Sequence, residues 1–540
     1  MTLFPPLPAR LARPLSALVV VAWVLQMGVL LRQTFYRAPL ALAADLTSYS
    51  SSAQWRGSYY RGDKIGFSVG QTTPTDDGYE IREDTRLTMT LVGATAAVRM
   101  TSRAFVDRSF ALRRFSFSLD PGTGPTTIQG ALDSKRLDLT IRNSAGVRRE
   151  SRELDGPPAL SLNLPRTLAA RGLEPGQKLV VSVFDPATLR NSPMSIEVQA
   201  REVVRAAGRP VPAFRVEGRL AGVTMRSWVT DTGEVVKEES PMGLLVVRET
   251  PEQAQALAVP GSVQADLLAA AALVPLHPQR IDDPRTVATL RVRIDGLSGL
   301  DPADLDGAGQ TASDGTFELR DARDLAPGPA PADLERYLHA ETFLESDAPE
   351  IRAEAEKATV GADTPRLRAE RLTRHVHAIV EKRPTVSLPS ALEVLKTRIG
   401  DCNEHTALYV AMARSIGLPA RIAAGLVYLR GAFYYHAWPE VFVTEAAGRG
   451  LWLPVDPTLN QFPADATHVR LARGGLDKQA AIVGLVGRAK LDILGVELRP
   501  GAVPVLVGRE AAELAPLALD IPRRQPGAHG CWSQPRRYTQ

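Results

Sequence analysis

The chain has 540 residues, and its 64 lysines and arginines nearly balance its 60 aspartates and glutamates, which leaves a formal net charge of +4. A chain of this length divides into two or three folded units rather than forming a single core. No basic stripe alternates with aromatic residues, which argues against nucleic-acid binding, and the two cysteines, Cys402 and Cys531, are too few for a disulfide framework or a zinc ribbon.

Residues 15–31 form an apolar run with arginines on both sides. Its length is at the lower end of what a helix needs to cross a bilayer. We therefore predict that residues 1–45 hold a single-pass membrane anchor and that the rest of the chain lies outside the cytoplasm. A cleaved signal peptide is the alternative, because Ala41-Leu42-Ala43 is typical of a cleavage site.

Residues 46–250 have the periodicity of β-strands. Apolar side chains fall on alternate positions, as at Phe115, Phe117 and Leu119, and turn signals such as Asp77-Gly78 separate the runs. The pattern predicts an antiparallel β domain with one helix near residues 164–171. A curved sheet that holds a lipid, a polymer or a peptide fits this pattern, and so does a simple spacer.

The segments that follow are less regular. Residues 251–330 are predicted to be a mixed β and linker region, with one strand indicated by the alternation at residues 288–294. Helical periodicity begins near Ala332 and continues to Glu381. At the far end, residues 476–540 are predicted to hold a C-terminal strand and a partly disordered tail.

A buried helix is predicted where Leu408, Ala411 and Met412 recur at amphipathic spacing. Asp401 is a natural N-cap for this helix, which places Cys402 in its first turn. The unpaired N–H groups and the positive end of the helix dipole favour a thiolate there. With a histidine beside it, we expect the pKa of the Cys402 thiol to fall below its usual value, into the range of about 3.5–7.5.

Two strands and then a third are predicted after this helix. On the second strand, His436, Trp438 and Glu440 share one face, so that His436 can lie over the start of the helix. The third strand ends at Asp456, where Pro457 stops it. An aspartate at that strand end can orient the imidazole of His436, and Cys–His–Asp in this arrangement is suited to nucleophilic acyl chemistry.

Three segments of the sequence resemble the transglutaminase-like superfamily. They are GDCNEHTALYVAMARSIGLPARIAAGLVY, HAWPEVFV and WLPVDPT, and they contain the cysteine, the histidine and the aspartate in the family's order. The resemblance implies an α+β fold, with a papain-like transglutaminase core over residues 331–475 behind the antiparallel β domain and the N-terminal transmembrane helix. Residues 57–70 and 226–249 look like the β region that precedes this core in some bacterial envelope proteins.

The resemblance also implies roles for individual residues. Cys402 is the expected nucleophile, His436 the general base and acid, and Asp456 the orienting carboxylate. Asp401, His405 and Trp438 are expected beside them, in supporting or substrate-side positions. No cofactor or metal is expected, and the calcium activation of animal relatives is not carried over.

The implied function is thiol-dependent acyl transfer on amide bonds of peptides or proteins in the cell envelope. Water as acceptor makes the protein a cysteine peptidase or amidase, and an amine makes it a transamidase. The implied location is the inner membrane, through residues 15–31, with the bulk of the chain in the periplasm and no nucleic-acid partner. The alternatives are a catalytically silent peptide-binding module, or a β domain that carries lipid or polymer.

Overall fold

A computed structural model describes residues 50, 52–91, 94–220, 223–241, 243–256, 272–277, 280–297, 300–446, 448–483 and 489–500. The predicted anchor at residues 15–31, Cys531 and the predicted tail from residue 501 onward lie outside the described residues. Within the described ranges, no helix has the length and hydropathy that a membrane crossing requires.

Antiparallel strands make up the first part of the described chain, as the alternating sequence predicts. Fourteen strands form one sheet there, counted over the described residues, in the order β8-β7-β6-β5-β4-β3-β2-β1-β14-β13-β12-β11-β10-β9. Their bounds are β1 (Gln54–Tyr60), β2 (Asp63–Pro74), β3 (Gly78–Leu91), β4 (Ala94–Asp107), β5 (Leu112–Asp120), β6 (Thr126–Asp133), β7 (Arg136–Asn143), β8 (Gly146–Glu153), β9 (Lys178–Asp185), β10 (Arg190–Ala206), β11 (Arg209–Leu220), β12 (Val223–Val229), β13 (Val235–Glu239) and β14 (Leu244–Glu249).

The sheet follows from local sequence. In β7, Leu137, Leu139 and Ile141 are buried on one face while their neighbours face outward or are half-buried. The hairpin between β1 and β2 turns at Arg61-Gly62, and both residues have positive φ angles of 50° and 96°. Such turns match the natural twist of the strands that they join. The connection from β8 to β9 contains the helix α1 (Leu164–Ala170), which confirms the helix predicted there.

The second part of the described chain combines shorter strands with helices. Its strands are β15 (Val287–Asp295), β16 (Gln310–Ser313), β17 (Thr316–Arg320), β18 (Gly328–Pro329), β19 (Glu381–Lys382), β20 (Ile399–Gly400), β21 (Ala420–Leu429), β22 (Ala432–Ala446), β23 (Arg449–Pro454), β24 (Val469–Arg473) and β25 (Lys490–Leu498). Its helices are α2 (Pro251–Gln255), α3 (Pro302–Leu305), α4 (Pro349–Ala358), α5 (Pro365–Ile379), α6 (Ala391–Thr397), α7 (Cys402–Ser415) and α8 (Leu476–Val483). Single 3-10 turns occur at Pro284–Thr286, Ala322–Asp324 and Leu334–Leu338.

These strands form separate sheets. One has the order β16-β17-β15-β25, so that the strand expected at residues 288–294 pairs with a strand near the end of the described chain. Another has the order β18-β23-β22-β21-β24 and carries the predicted histidine strand as β22. The two short strands β19 and β20 pair in parallel just before α7.

The prediction of a helix from Ala332 to Glu381 is wrong for the first part of that range. Only a 3-10 turn at Leu334–Leu338 forms there, and regular helix begins with α4 and resumes with α5. Pro349 and Pro365 each occupy the first helical position. Proline is favoured at a helix start because it lacks the N–H that a helix interior needs, so each proline begins a new helix rather than continuing one.

Three hydrophobic cores position the candidate site. One joins α4, α5, α6 and α7 to β21, β22 and β23, and it buries most of α7. A second joins β15, β17 and β25 to β21, β22 and β24, and Cys402 packs against it. The third lies within the β domain, where Leu388 from the segment before α6 is buried among β-domain side chains.

Candidate active site

The first turn of α7 is fixed by its own capping residues. The Asp401 carboxylate accepts a hydrogen bond from the Asn403 N–H at 2.9 Å, and Glu404 reaches back to accept one from the Asp401 N–H at 2.8 Å. Ser387 donates to the other Glu404 oxygen. This reciprocal arrangement satisfies donors that the start of a helix leaves unpaired. It holds Cys402 at the first helical position of α7.

The Cys402 sulfur lies against β22 and is only partly exposed. The backbone N–H of Ala437 donates to it, which favours the thiolate, but burial raises the pKa of the Cys402 thiol well above its usual value and the Asp401 carboxylate adds to the rise. The expectation of a lowered pKa is therefore wrong. Burial of the sulfur is the main cause, the Asn403 N–H of the first turn is already bound by Asp401, and the carboxyl groups of Asp401 and Glu404 lie near the sulfur.

His436 and Asp456 form a pair, and His436 directly precedes Ala437, whose N–H donates to the Cys402 sulfur. The Nε2 atom of His436 is 2.8 Å from Oδ2 of Asp456, and both side chains are buried. Asp456 is held by a second hydrogen bond, from the Leu459 N–H to Oδ1 at 2.9 Å. Burial alone raises the pKa of Asp456, but the neighbouring imidazoles, His436 first, hold it far below its usual range. The Asp456 charge also reaches Cys402 and contributes to raising the thiol pKa. The structure thus brings together all three residues that the sequence singles out.

The flanking residues occupy different positions. Trp438 is fully buried and stacks on His436, with ring centroids 6.1 Å apart and planes 20° apart. His405 is also buried, and its Nδ1 lies 2.6 Å from the Asp401 carbonyl oxygen. Burial lowers the pKa of His405, which keeps this imidazole neutral. Since a neutral Nδ1 that donates to a carbonyl is fixed in place, His405 packs under the helix start and is not positioned to act as the base.

A second buried histidine, His468, was missed by the sequence reasoning. Its Nε2 lies 3.2 Å from Oδ2 of Asp456, the oxygen that also binds His436. Its Nδ1 lies 3.3 Å from Oδ1 of Asp465 and 3.1 Å from the Asp465 carbonyl oxygen. Asp465 itself accepts from Thr467 and Gln461. The available signal was a histidine at the start of the apolar run that becomes β24, a short distance after Asp456.

His436, Asp456 and His468 also offer three donor atoms within 4.8 Å of one another, which raises the question of a metal site. The observed distances are those of hydrogen bonds, because each imidazole approaches one carboxylate oxygen at 2.8 or 3.2 Å. A zinc ion binds histidine nitrogen at about 2.0–2.1 Å and takes four ligands. We therefore interpret the group as a hydrogen-bonded one.

A cleft of about 550 Å³ runs along the first two turns of α7. This volume is within the range of ligand sites. Residues of α7 form one wall and β8 of the β domain supplies charged residues to the other. The side chains that line it include Asn403, Thr406, Arg148, Glu150, Arg152, Glu341 and Gln479. Gln479 also accepts a hydrogen bond from Tyr435, at 2.8 Å, on the strand that carries His436.

Comparison with protein families gives one match in each of the two parts of the chain. Residues 352–457 match the family described as the transglutaminase-like superfamily, a range that contains Cys402, His436 and Asp456. Residues 54–250 match a family described as a protein of unknown function, DUF3108. A search of curated proteins found no match.

A search of solved structures gave matches at low identity and low TM-score. A candidate cysteine protease from Cytophaga hutchinsonii is 17% identical, covers 42% of this chain and 86% of its own, and has a TM-score of 0.26. A β-barrel-like protein of the DUF1849 family from Brucella abortus is 10% identical, covers 36% of this chain and 95% of its own, and has a TM-score of 0.30. A candidate protease from Parabacteroides distasonis is 11% identical, covers 68% of this chain and 65% of its own, and has a TM-score of 0.18.

The family match covers the helix start, the histidine strand and the aspartate on which the sequence resemblance depends, and it confirms that resemblance. The rest of the chain lies outside this match, with the β domain assigned to a separate family. Residues 352–457 of this protein are therefore a domain of the transglutaminase-like superfamily.

Proposed function

We propose that this protein forms an acyl-thioester at Cys402 from an amide bond of a peptide or protein, and that hydrolysis completes the reaction. The observation that carries the proposal is the hydrogen bond between His436 and the buried Asp456, beside a cysteine at the first position of a capped helix. In such an arrangement the aspartate fixes the orientation of the imidazole, which can then exchange a proton with the sulfur.

The proposed reaction has two stages, acylation of Cys402 and hydrolysis of the thioester. His436 takes the Cys402 proton while the sulfur attacks the amide carbonyl carbon. The carbon–nitrogen bond then breaks, and His436 returns the proton to the departing amine. Water then attacks the thioester carbon while His436 takes its proton. The carbon–sulfur bond breaks, the acid leaves, and His436 returns the proton to the Cys402 sulfur. The N–H of Cys402 is the first-turn donor that we assign to the developing oxyanion, because Asp401 already engages that of Asn403.

The cleft beside α7 is the proposed substrate site. Asn403, the residue after the nucleophile, lines this cleft, and its two walls come from the α7 segment and from the β domain. Arginine and glutamate side chains on β8 line the wall opposite α7. An extended polypeptide with polar side chains fits such a lining. The β domain then has a defined role, which is to bind the substrate beside the nucleophile rather than to act as a spacer.

We also propose that residues 15–31 anchor the protein in the inner membrane, with the enzyme on the periplasmic side. The support is the apolar run in the sequence and its flanking arginines. Protease treatment of intact spheroplasts tests this orientation. Digestion of the chain without lysis is the expected result, and full protection would contradict it.

The proposed activity is tested by hydrolysis of fluorescently labelled casein, with a fluorescent primary amine as an optional acceptor. The wild-type chain should release labelled peptides, and Cys402→Ala should release none. His436→Ala should lower kcat/KM by about 10² to 10⁴, which is the usual contribution of a general acid–base residue. Amine incorporation in place of hydrolysis would assign the protein as a transamidase.

A matched histidine control separates this effect from general damage. His277 is exposed and pairs with Asp492, so His277→Ala should leave the activity unchanged. Casein hydrolysis that survives in Cys402→Ala would exclude the proposed nucleophile. A folded wild-type chain that binds peptides without cleaving or transferring them would instead support the silent binding module.

A further inference from the structure

His468 approaches the same Asp456 oxygen as His436, and both its ring nitrogens face oxygen acceptors. Nε2 faces the Asp456 carboxylate at 3.2 Å, and Nδ1 faces the Asp465 carboxylate at 3.3 Å and the Asp465 carbonyl at 3.1 Å. Ionised carboxylates and carbonyls only accept hydrogen bonds, whereas a neutral imidazole has one donor and one acceptor nitrogen. Two donors are needed here, so the geometry requires His468 to be the imidazolium cation.

The surroundings of His468 support this charge. The side chain is 5% exposed, and Asp465 on its far side is 7% exposed. Burial lowers the pKa of His468, but the charges and hydrogen bonds of Asp465 and Asp456 outweigh it and raise the pKa to about 10. Burial likewise raises the pKa of Asp465, and the nearby charge of His468 more than reverses that effect. His468 is therefore a cation throughout the neutral pH range.

We propose that His468, held as a cation by Asp465, is a positioning residue that shares the Asp456 carboxylate with His436 and makes the ion pair between Cys402 and His436 harder to form. This inference rests on the proposed function of Cys402 and His436. The two imidazoles have ring centroids 5.8 Å apart and bind the same carboxylate oxygen. Two positive charges at this distance repel each other, so the fixed charge on His468 opposes transfer of the Cys402 proton to His436.

The other ionisable groups near this pair come from every element packed around it. Asp401, Cys402, Glu404 and His405 belong to the start of α7, and Lys382 lies on β19 close enough to act on both Asp456 and His405. Tyr435 and Glu440 lie on β22 and Arg470 on β24. His377 on α5 interacts with the Asp456 charge, and Arg323 interacts with the Asp465 charge. Glu440 is paired with Arg421, Arg470 and Arg473. The carboxylates that bind His468 are those of Asp465 and Asp456.

A first experiment measures the charge of His468 in the wild-type chain. The chain has 8 histidines, so selective ¹⁵N-histidine labelling of the full-length protein gives few signals, and His468→Gln assigns one of them. We expect the His468 ring nitrogens to have the shifts of a doubly protonated imidazolium from pH 6 to pH 8. Shifts of a neutral tautomer at pH 7 would overturn the proposal, whether or not the protein has the proposed activity.

The second experiment measures the effect on the reacting pair. His468→Gln keeps a donor for Asp456 but removes the charge, so the thiolate–imidazolium pair of Cys402 and His436 becomes easier to form. Alkylation of Cys402 by iodoacetamide at pH 6 should then rise roughly tenfold over wild type. A merely structural role would leave this rate unchanged or lower it, and either result would overturn the proposal. His277→Gln is the matched control and should alkylate like wild type.

A third variant keeps the proposal testable if His468→Gln fails to fold. Asp465→Asn removes the anion that holds the charge, so the pKa of His468 should move from about 10 toward its ordinary value of 6.5. The labelled His468 signal should then titrate in the neutral range. A signal that stays doubly protonated through pH 9 would exclude Asp465 as the residue that holds the cation. If the wild-type chain does not hydrolyse casein but the His468 signals are those of an imidazolium, only the proposed function is rejected.

Discussion

At the residue scale, the reactivity of Cys402 depends on the neighbouring carboxyl groups, which raise the pKa of its thiol. The sequence shows that Asp401 and Glu404 are close to Cys402 along the chain, but it does not show how they affect the thiol. The position of Cys402 at the helix start and the N-cap at Asp401 could both be predicted, because they follow from local chain signals. The ionisation of the thiol could not, because it depends on burial and on where Asp401 and Glu404 direct their carboxylates. His468 and Asp465 were missed for a related reason: the loop that carries them has no periodicity to predict its contacts.

The raised pKa of the Cys402 thiol predicts slow alkylation at low pH. In the wild-type chain, iodoacetamide should label Cys402 at least about tenfold more slowly at pH 6 than at pH 9, because only the thiolate reacts. Mass spectrometry of the Cys402 peptide measures the rate, with Cys531 in the same sample as an internal reference. Rapid labelling of Cys402 near pH 6 would mean that a thiolate–imidazolium pair already exists at rest.

At the scale of single elements, β22 connects the candidate site to a buried ionic cluster. The alternation of His436, Trp438 and Glu440 on one face could be read from the sequence, since a strand has a period of two. The partners of Glu440 could not, because they come from β21 and β24. Arg421 lies 2.7 Å from Glu440, Arg470 pairs with its other oxygen, and Arg473 is 3.5 Å away. This cluster ties the neighbouring strands to the strand that carries His436.

Removal of the Glu440 charge should destabilise the protein in a pH-dependent way. Burial raises the pKa of Glu440, but Arg470, Arg421 and Arg473 together lower it to about 2, from an ordinary 4.5. A lowered folded-state pKa stabilises the fold above pH 4.5, and that stability is lost as the pH falls towards 2. Glu440→Gln should therefore cost about 3–5 kcal/mol in the free energy of unfolding at pH 7, since it leaves buried arginines uncompensated.

Urea denaturation measures this cost, and the difference from wild type should shrink between pH 4.5 and pH 2. The matched control is Glu197→Gln, because Glu197 pairs with Lys178 at 3.5 Å on an exposed surface. Exposed pairs of this kind contribute about 0–1 kcal/mol. Equal costs for the two substitutions, or a difference from wild type that does not depend on pH, would refute the assigned role of the cluster.

At the scale of the whole molecule, the β domain is joined to the transglutaminase-like domain through the segment before α7. Leu388 is buried in the β-domain core. Glu393 accepts hydrogen bonds from Thr126 and Ser144 of the β domain, at 3.2 and 3.4 Å. The same segment contains Ser387, which binds the Glu404 of the capping box. The sequence predicts both domains, because each has its own periodicity. The contact between them could not be predicted, because periodicity shows which side chains are buried within an element but not which other element they meet.

Leu388→Ala tests this connection. Truncation of a buried leucine should lower the free energy of unfolding by about 2–5 kcal/mol, and it should also lower casein hydrolysis because the segment positions the start of α7. Leu367→Ala on α5 is the matched control, since Leu367 is 37% exposed, and its effect should stay within about 0.5 kcal/mol. If Leu388→Ala loses stability but keeps its kcat/KM, the contact with the β domain does not position the active site.

The most direct test of the central claim is to trap the acyl-enzyme. The full-length chain is mixed with a peptide p-nitroanilide, quenched in acid at short times, digested and analysed by mass spectrometry. We predict an acyl group on the peptide that contains Cys402, formed at least about 10² times more slowly in His436→Ala and absent in Cys402→Ala. Release of p-nitroaniline without an adduct on Cys402, or an adduct that forms equally fast in His436→Ala, would contradict the account.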